Sequence, residues 1–301
     1  MTEPRIGLVG YGEVGRILTG ALKQRGLAWV GAYDILFGDN AKGPGMRAAA
    51  RDAGIHAAGS LAELLSQADI VFSAVTASNA HDVAVAAAEG IRTGAYFVDL
   101  NSCSPGTKAE SAALIEGAGG HFVESAVMAS VPPYGIRVPM LLGGKAAPAL
   151  AEKLVPLGFA MTVVAEKVGV ASAIKMCRSV VMKGMEAIVV ESFSTARKHG
   201  VEDYVIASLA ETFPGLDWEK QGSYFFGRVI AHGKRRAEEM REVDATVGEA
   251  GFPTGLSAAI ADKHDWLAAL GRAGTFEGLG FDGAWRDYAD RILAGQTKRG
   301  K

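Results

Sequence analysis

The chain carries one short feature that restricts its folds more than any other: Gly10-Tyr11-Gly12-Glu13-Val14-Gly15. An apolar strand-like run, Arg5–Val9, precedes it, and an amphipathic helical run, Arg16–Arg25, follows. In such a strand–turn–helix unit the first glycine permits the tight turn. The second lets the backbone approach a pyrophosphate, and the third lets the helix pack closely on the strand. The helix start then offers unbonded N–H groups and the positive end of its dipole to phosphate. Asp34 ends the next strand run, 19 positions after Gly15, where a carboxylate would bond an adenosine ribose hydroxyl. The expectation is a nicotinamide dinucleotide site made by Gly10, Tyr11, Gly12, Glu13, Val14, Gly15 and Asp34. Asp34 favours NAD because it would repel a 2′-phosphate. Lys42 and Arg47 follow closely and leave NADP open. A turn without a ligand, or one serving another nucleotide such as S-adenosylmethionine, is the competing reading.

Periodicity extends this unit into a domain. Ala28–Tyr33, Ile70–Val75, Tyr96–Leu100, His121–Glu124, Met140–Leu142 and Ala160–Val164 read as strands. Asp39–Gly45 reads as a loop and Asp82–Glu89 as a helix. Ser60-Leu61-Ala62-Glu63 reads as a capping box, and Ser104-Pro105 as an N-cap followed by proline in the first turn. Strands alternating with helices imply βαβ units and a mostly parallel, doubly wound sheet. Beyond Glu166 no strand run appears. Val168–His199 reads as one long helix stopped by Gly200, followed by helical runs over Tyr204–Thr212, Tyr224–Gly251 and Ser257–Ala273. The sequence therefore predicts an α/β domain over residues 1–165 and an all-α domain over residues 166–301.

Composition agrees with two folded domains. The chain has 301 residues, 49% apolar and 21% charged, with a net charge of −2 that gives no reason to expect nucleic acid or an acidic membrane as partner. Two cysteines, Cys103 and Cys177, are too few for a disulfide framework, and six scattered histidines suggest no metal site. No secretory leader pattern and no uncharged apolar span is visible, so a cytoplasmic setting is the expectation. Lys298-Arg299 reads as a solvated tail.

Four segments together resemble the β-hydroxyacid dehydrogenase superfamily, which includes 3-hydroxyisobutyrate and 6-phosphogluconate dehydrogenases. They are Gly7–Gly15; Asp99-Leu100-Asn101-Ser102-Cys103-Ser104-Pro105; Glu124-Ser125-Ala126-Val127-Met128-Ala129-Ser130; and Gly169-Val170-Ala171-Ser172-Ala173-Ile174-Lys175. They look like the family's glycine turn, its D-x-S-T-x-x-P, its D-A-P-V-S-G-G and its G-x-G-x-x-x-K. The resemblance implies a Rossmann domain, a helical substrate and dimerisation domain, an active site between them and a homodimer. It makes Lys175 the catalytic lysine. The chain departs from the pattern at Met128, where the family has a substrate-binding serine, and at Arg178 and Ser179, where it has an asparagine. The stretch Lys175-Met176-Cys177-Arg178-Ser179-Val180-Val181-Met182-Lys183-Gly184 resembles a poorly characterised subgroup with its own C-terminal domain.

Alcohol oxidation needs a group that takes the hydroxyl proton as hydride leaves carbon. A lysine serves if its surroundings lower its proton affinity from about 10.4 toward roughly 7–8. Lys175 falls near the start of the long helix, where the dipole and Arg178 both disfavour its charge. Helical spacing places Ser179, Met182 and Glu186 on its stripe, with Lys183 turned away. Val75, Thr76, Asn101 and Ser102 follow strands at their carboxyl ends, where open α/β sheets hold ligands. Asn101 and Ser102 would face nicotinamide or substrate, or simply cap a turn. Met128, Ala129, Ser130, Ser179 and Lys183 are the substrate-side candidates, with Ser125 as another replacement for the missing serine and Val131-Pro132-Pro133-Tyr134-Gly135 as a bordering loop. His232-Gly233-Lys234-Arg235-Arg236 reads as a solvated basic face or a clamp for an anionic substrate. Cys177 should pack within its helix, and most of Trp218, Tyr224, Phe225, Phe226, Trp266 and Trp285 should be core.

The expectation is an NAD(P)-dependent dehydrogenase acting on a hydroxy acid or related alcohol, or the reverse reaction. An imine or ketone reductase of the same superfamily and a non-catalytic dinucleotide sensor are the alternatives.

Overall fold

The computed structural model describes residues 3–297 and divides into two compact units, 1–176 and 177–301. The tail cluster Lys298-Arg299 lies outside the described residues. In the first unit, eight strands form one sheet: β1 Ile6–Val9, β2 Val30–Tyr33, β3 His56–Ala57, β4 Ile70–Ser73, β5 Tyr96–Asp99, β6 His121–Val127, β7 Pro139–Gly143 and β8 Ala160–Ala165. Their order is β3-β2-β1-β4-β5-β6-β7-β8. All neighbouring pairs are parallel except β6 with β7, where Glu124 stands opposite Gly143. The winding direction reverses between β1 and β4, so a crevice opens beyond their carboxyl ends.

Seven helices accompany the sheet: α1 Glu13–Gln24, α2 Gly43–Asp52, α3 Leu61–Gln67, α4 Ala80–Ala88, α5 Pro105–Gly117, α6 Val131–Tyr134 and α7 Ala147–Leu154. Strand alternation sends Ile6 and Leu8 to one core, with Leu18, Leu22 and Leu150, and Val9 to the other, with Leu64, Phe97 and Ile115. Both faces of the sheet are thereby covered, as a parallel sheet requires.

Two segments differ from expectation. Residues 39–45 are not all loop: α2 begins at Gly43, with Pro44 in its first turn, and Asp39 accepts from the N–H groups of Ala41 and Lys42 just ahead of it. Proline without an N–H is harmless there because that donor would have no helical partner. Residues Val131–Tyr134 form the short α6 rather than an open loop.

Helix α8 spans Val170–His199 and ends at Gly200, whose φ of 68° is the left-handed conformation of a helix stop. The division between the two compact units falls inside it, after Met176. Its first turn is hydrogen-bonded to strand β6 and so belongs with the sheet. The second unit continues with α9 Glu202–Thr212, α10 Trp218–Glu249, α11 Leu256–Arg272 and α12 Trp285–Thr297. Its core joins Val190, Phe193, Trp218, Phe225, Phe226, Leu267, Trp285 and Tyr288. Tyr224 is the exposed exception among the aromatics expected in the core, and Trp266 packs against that core partly buried. No helix among the described residues is long and apolar enough to cross a membrane.

Candidate functional site

The glycine turn takes the conformation its spacing requires. Gly10 has φ 94°, and a Cβ there would overlap the carbonyl oxygen of Ala74 at the end of β4. Gly15 likewise passes too close to the Gly10 carbonyl for any side chain. Gly12 is different: a Cβ would meet no protein atom within 4 Å. Helix α1 starts immediately after it, with no side chain capping its N–H groups. The protein itself therefore does not need a glycine at position 12. The backbone at the start of α1 is thus left open beside Gly12.

Asp34 closes the turn from the next strand. Its Oδ2 accepts from the Tyr11 N–H at 2.7 Å and its Oδ1 from the Leu36 N–H at 2.9 Å. A carboxylate offers about four acceptor directions, so Asp34 keeps acceptor capacity beyond these two bonds. Tyr11 is buried, edge-on to Phe37 at 5.8 Å, and burial raises its phenol above the ordinary value. Glu13 and Thr76 are exposed or nearly so, and Val14 and Val75 are half-buried at the rim.

A buried polar network braces the loops beyond β4 and β5. The Asn101 Oδ1 accepts from the Val75 N–H at 2.8 Å, and its Nδ2 donates to Ser73 Oγ at 3.0 Å and Asp99 Oδ1 at 2.6 Å. Lys108 completes it with a 2.8 Å ion pair to Asp99 Oδ2 and a 3.1 Å bond to the Asp99 carbonyl. Asp99 and Lys108 are both essentially inaccessible. Asn101 therefore ties two loops together, while Ser102, next to it, is half-buried at the crevice side of this brace. Ser104 caps α5, accepting from the Thr107 N–H at 3.2 Å.

Lys175 meets this end of the sheet. Its Nζ donates to Ser102 Oγ at 2.5 Å. Glu124, fully buried in β6, holds the start of the lysine's helix. Its Oε1 accepts from the N–H groups of Gly169 (2.7 Å) and Ala171 (3.0 Å). Its Oε2 accepts from Ser172 N–H (3.1 Å) and Ser172 Oγ (2.6 Å). Neither Glu124 nor Lys108 stands out as a site residue in the sequence. A charged residue inside an otherwise apolar strand run is the available signal for Glu124. Lys108 resembles any surface lysine.

The substrate-side candidates divide. Met128 and Ala129 are half-buried at the end of β6, with the Met128 N–H bonded to the Pro139 carbonyl. Ser130 is exposed. Ser125 is inaccessible, with its hydroxyl unbonded. Ser179 and Lys183 belong to the second unit. There Lys183 donates to Ser179 Oγ at 3.2 Å and pairs with Glu239 at 2.7 Å. Burial pushes the Lys183 ammonium below its ordinary value, against the opposing charge of Glu239.

The basic cluster splits as well. Lys234 is exposed and Arg235 largely so, whereas Arg236 is buried on Glu186, with Nε 2.8 Å from Oε2. Gly233 lets α10 press against the backbone of α11 at His264. Cys177 is exposed rather than packed. Its neighbour Met176 takes the buried place. No group of metal-ligating side chains occurs among the described residues.

Comparison with known proteins agrees with this architecture. Residues 5–102 match the family described as NADP oxidoreductase, coenzyme F420-dependent, and residues 196–267 match a domain of unknown function, DUF1932. An uncharacterised 28.5 kDa protein of Methanothermus fervidus is 32% identical over 240 residues, 80% of this chain and 89% of that protein. A conserved hypothetical protein from Sinorhizobium meliloti is 37% identical, with TM-score 0.78 over 97% of both chains. A conserved protein of unknown function, reported as structurally similar to 3-hydroxyacid dehydrogenases, is 31% identical with TM-score 0.68, over 89% of this chain and 98% of that one. The fold alone is shared with Mycobacterium tuberculosis 3-hydroxyisobutyrate dehydrogenase with L-serine (18%, TM-score 0.72, 97% and 99% of the chains). It is also shared with a Myxococcus stipitatus imine reductase holding NAD+ (19%, TM-score 0.58, 96% and 99%). Four motifs in order, an eight-stranded dinucleotide-type sheet and these relatives converge: the chain belongs to the β-hydroxyacid dehydrogenase superfamily, in a branch with its own C-terminal helical domain.

Proposed function

We propose that this chain is an NAD(P)-dependent oxidoreductase that moves hydride between a nicotinamide and the carbinol carbon of a hydroxy acid or related alcohol. Lys175 is its general base in oxidation and its general acid in reduction. The observation that carries this reading is the 2.5 Å contact of Lys175 Nζ with Ser102 Oγ. It brings an amine and a hydroxyl together just beyond the carboxyl end of β5, on the same sheet as the glycine turn.

The nicotinamide, when bound, supplies the hydride acceptor or donor. The chain does the rest. Gly10, Gly12 and Gly15 shape the berth, and the start of α1 receives the phosphates. Asp34 takes the ribose hydroxyls, which favours NAD over NADP. Ser102 holds the lysine amine in place and offers its own hydroxyl to a substrate oxygen. Lys175, in its neutral form, accepts the substrate's hydroxyl proton as the hydride departs. In reduction its ammonium returns that proton to the carbonyl oxygen.

Titration with NADH and NADPH, followed by nicotinamide fluorescence, tests the cofactor half, with tighter NADH binding the expected result. A panel of 3-hydroxy acids, serine, ketones and imines then tests the reaction. Lys175→Ala is expected to lower turnover about 10²–10⁴-fold with NADH affinity unchanged. Turnover confined to imines would replace the alcohol reading with imine reduction. Tight NADH binding with no turnover across the panel would mark a sensor.

A further inference from the structure

The helix that carries Lys175 lacks a local cap. Lys167-Val168-Gly169 supplies no serine, threonine, aspartate or asparagine at its start. Its capping group comes from 45 to 48 positions away, as the Glu124 side chain. We propose that Glu124 is the positioning residue for Lys175, fixing the first turn of α8 to the sheet so that the amine meets Ser102. This rests on the reading of Lys175 as the proton-transfer group.

Three observations point to it. All four bonds to Glu124 are donated to it, three by backbone N–H groups and one by a hydroxyl, as an acceptor-only carboxylate demands. The two N–H groups of Ala171 and Ser172 lie one helical turn before Lys175, so the clamp sets the rotation and axial position at which the lysine leaves the helix. The space for the carboxylate is also built. Gly143 stands directly opposite on β7, and a Cβ there would overlap Glu124 Oε1.

A serine cap at the helix start would satisfy about one of these three N–H groups, without any tie to the sheet. The distant acid adds that tie, and β6 continues directly into Met128, Ala129 and Ser130. The segment that borders the substrate side and the helix that bears the base are thus registered to one strand. The carboxylate also places negative charge at the positive end of the helix dipole, which a neutral cap would not.

The full-length chain is compared with Glu124→Gln, Glu124→Asp and Gly143→Ala. Amide exchange over 169–172 and competitive acetylation of Lys175 by acetic anhydride, relative to the exposed Lys198, are the two readouts, with NADH binding as control. Glutamine keeps the shape but offers one acceptor oxygen. Loss of charge-assisted bonds is expected to speed exchange at these amides about tenfold or more. Moving the amine and removing the charge beside its helix is expected to change Lys175 acetylation about threefold, with Lys198 unaffected. Gly143→Ala, which keeps the acid but displaces it, should act in the same direction, and aspartate should recover part of the change. Unchanged Lys175 labelling in Glu124→Gln and Gly143→Ala, in protein that binds NADH normally, overturns the proposal. Should Glu124→Gln not fold, unchanged labelling in Gly143→Ala and Glu124→Asp overturns it equally. If Lys175→Ala turns over normally, the base reading fails while the labelling still decides whether Glu124 seats the lysine.

Discussion

Both units bury charged side chains, but they attach them to different things. In the first unit, Asp99 and Lys108 pair with each other, but they and Glu124 also hold backbone groups: the Asn101 N–H, the Asp99 carbonyl and the N–H groups at the start of α8. In the second, buried charges hold one another. Glu186 on α8 faces Arg236 and, at 3.5 Å, Arg228, both on α10, while Lys183 faces Glu239. Backbone ties fix where loops and helix ends sit, which is what a reacting centre needs. Side-chain pairs fix which helix faces meet, and their main effect is the penalty of breaking them.

That contrast predicts separable failures. The largest should come from Arg236→Ala, which leaves Glu186 buried with the more distant Arg228 at 3.5 Å and His264 at 3.8 Å. A loss of about 3–5 kcal/mol is expected in urea unfolding of the second unit, with NADH affinity intact. Loss of NADH binding without loss of stability would break the comparison. Asn101→Ala should act the other way. It orphans the Val75 N–H, costs about 1–3 kcal/mol and weakens NADH binding, while the unfolding of the second unit stays unchanged.

The smallest effect concerns His264. It is inaccessible, and neither ring nitrogen has a hydrogen-bond partner. Burial first, then the charges of Arg236 and Lys183, hold it down to about 3 from an ordinary 6.5. Between those values the unfolded chain binds a proton that the folded chain refuses. Stability therefore falls as pH drops through that window, by at most about 1.4 kcal/mol per pH unit from this group. His264→Asn should flatten the slope of stability against pH below 6.5, and an unchanged slope would show that the ring does not carry it.

Local chemistry is legible in the sequence. The glycine turn, the Ser104 cap with Pro105, and the long helix stopped by Gly200 all depend on neighbours within a few residues. Lys175 is legible through motif and placement. Features set by distant partners are not. The clamp of Glu124 joins positions 45 or more apart, and the periodicity of β6 does not show which groups its one acid holds. The start of α2 is hidden because Gly43-Pro44-Gly45 has the composition of a turn, although proline suits a first helical turn. Helix α12 is absent from the helical runs read in the sequence, and Trp285 and Tyr288 find their core through the distant Phe193, Phe226 and Phe276.

The division of the chain after Met176, inside a continuous helix, has an evolutionary consequence. Lys175, Ser102, Glu124 and the glycine turn all lie within one compact unit. A recombination or drift event confined to residues 177 onward can exchange the helical module while the lysine and its supports travel unaltered. A chimaera joined at residue 177 therefore replaces the helical half while the Lys175–Ser102 contact and the Glu124 bonds stay within one parent sequence.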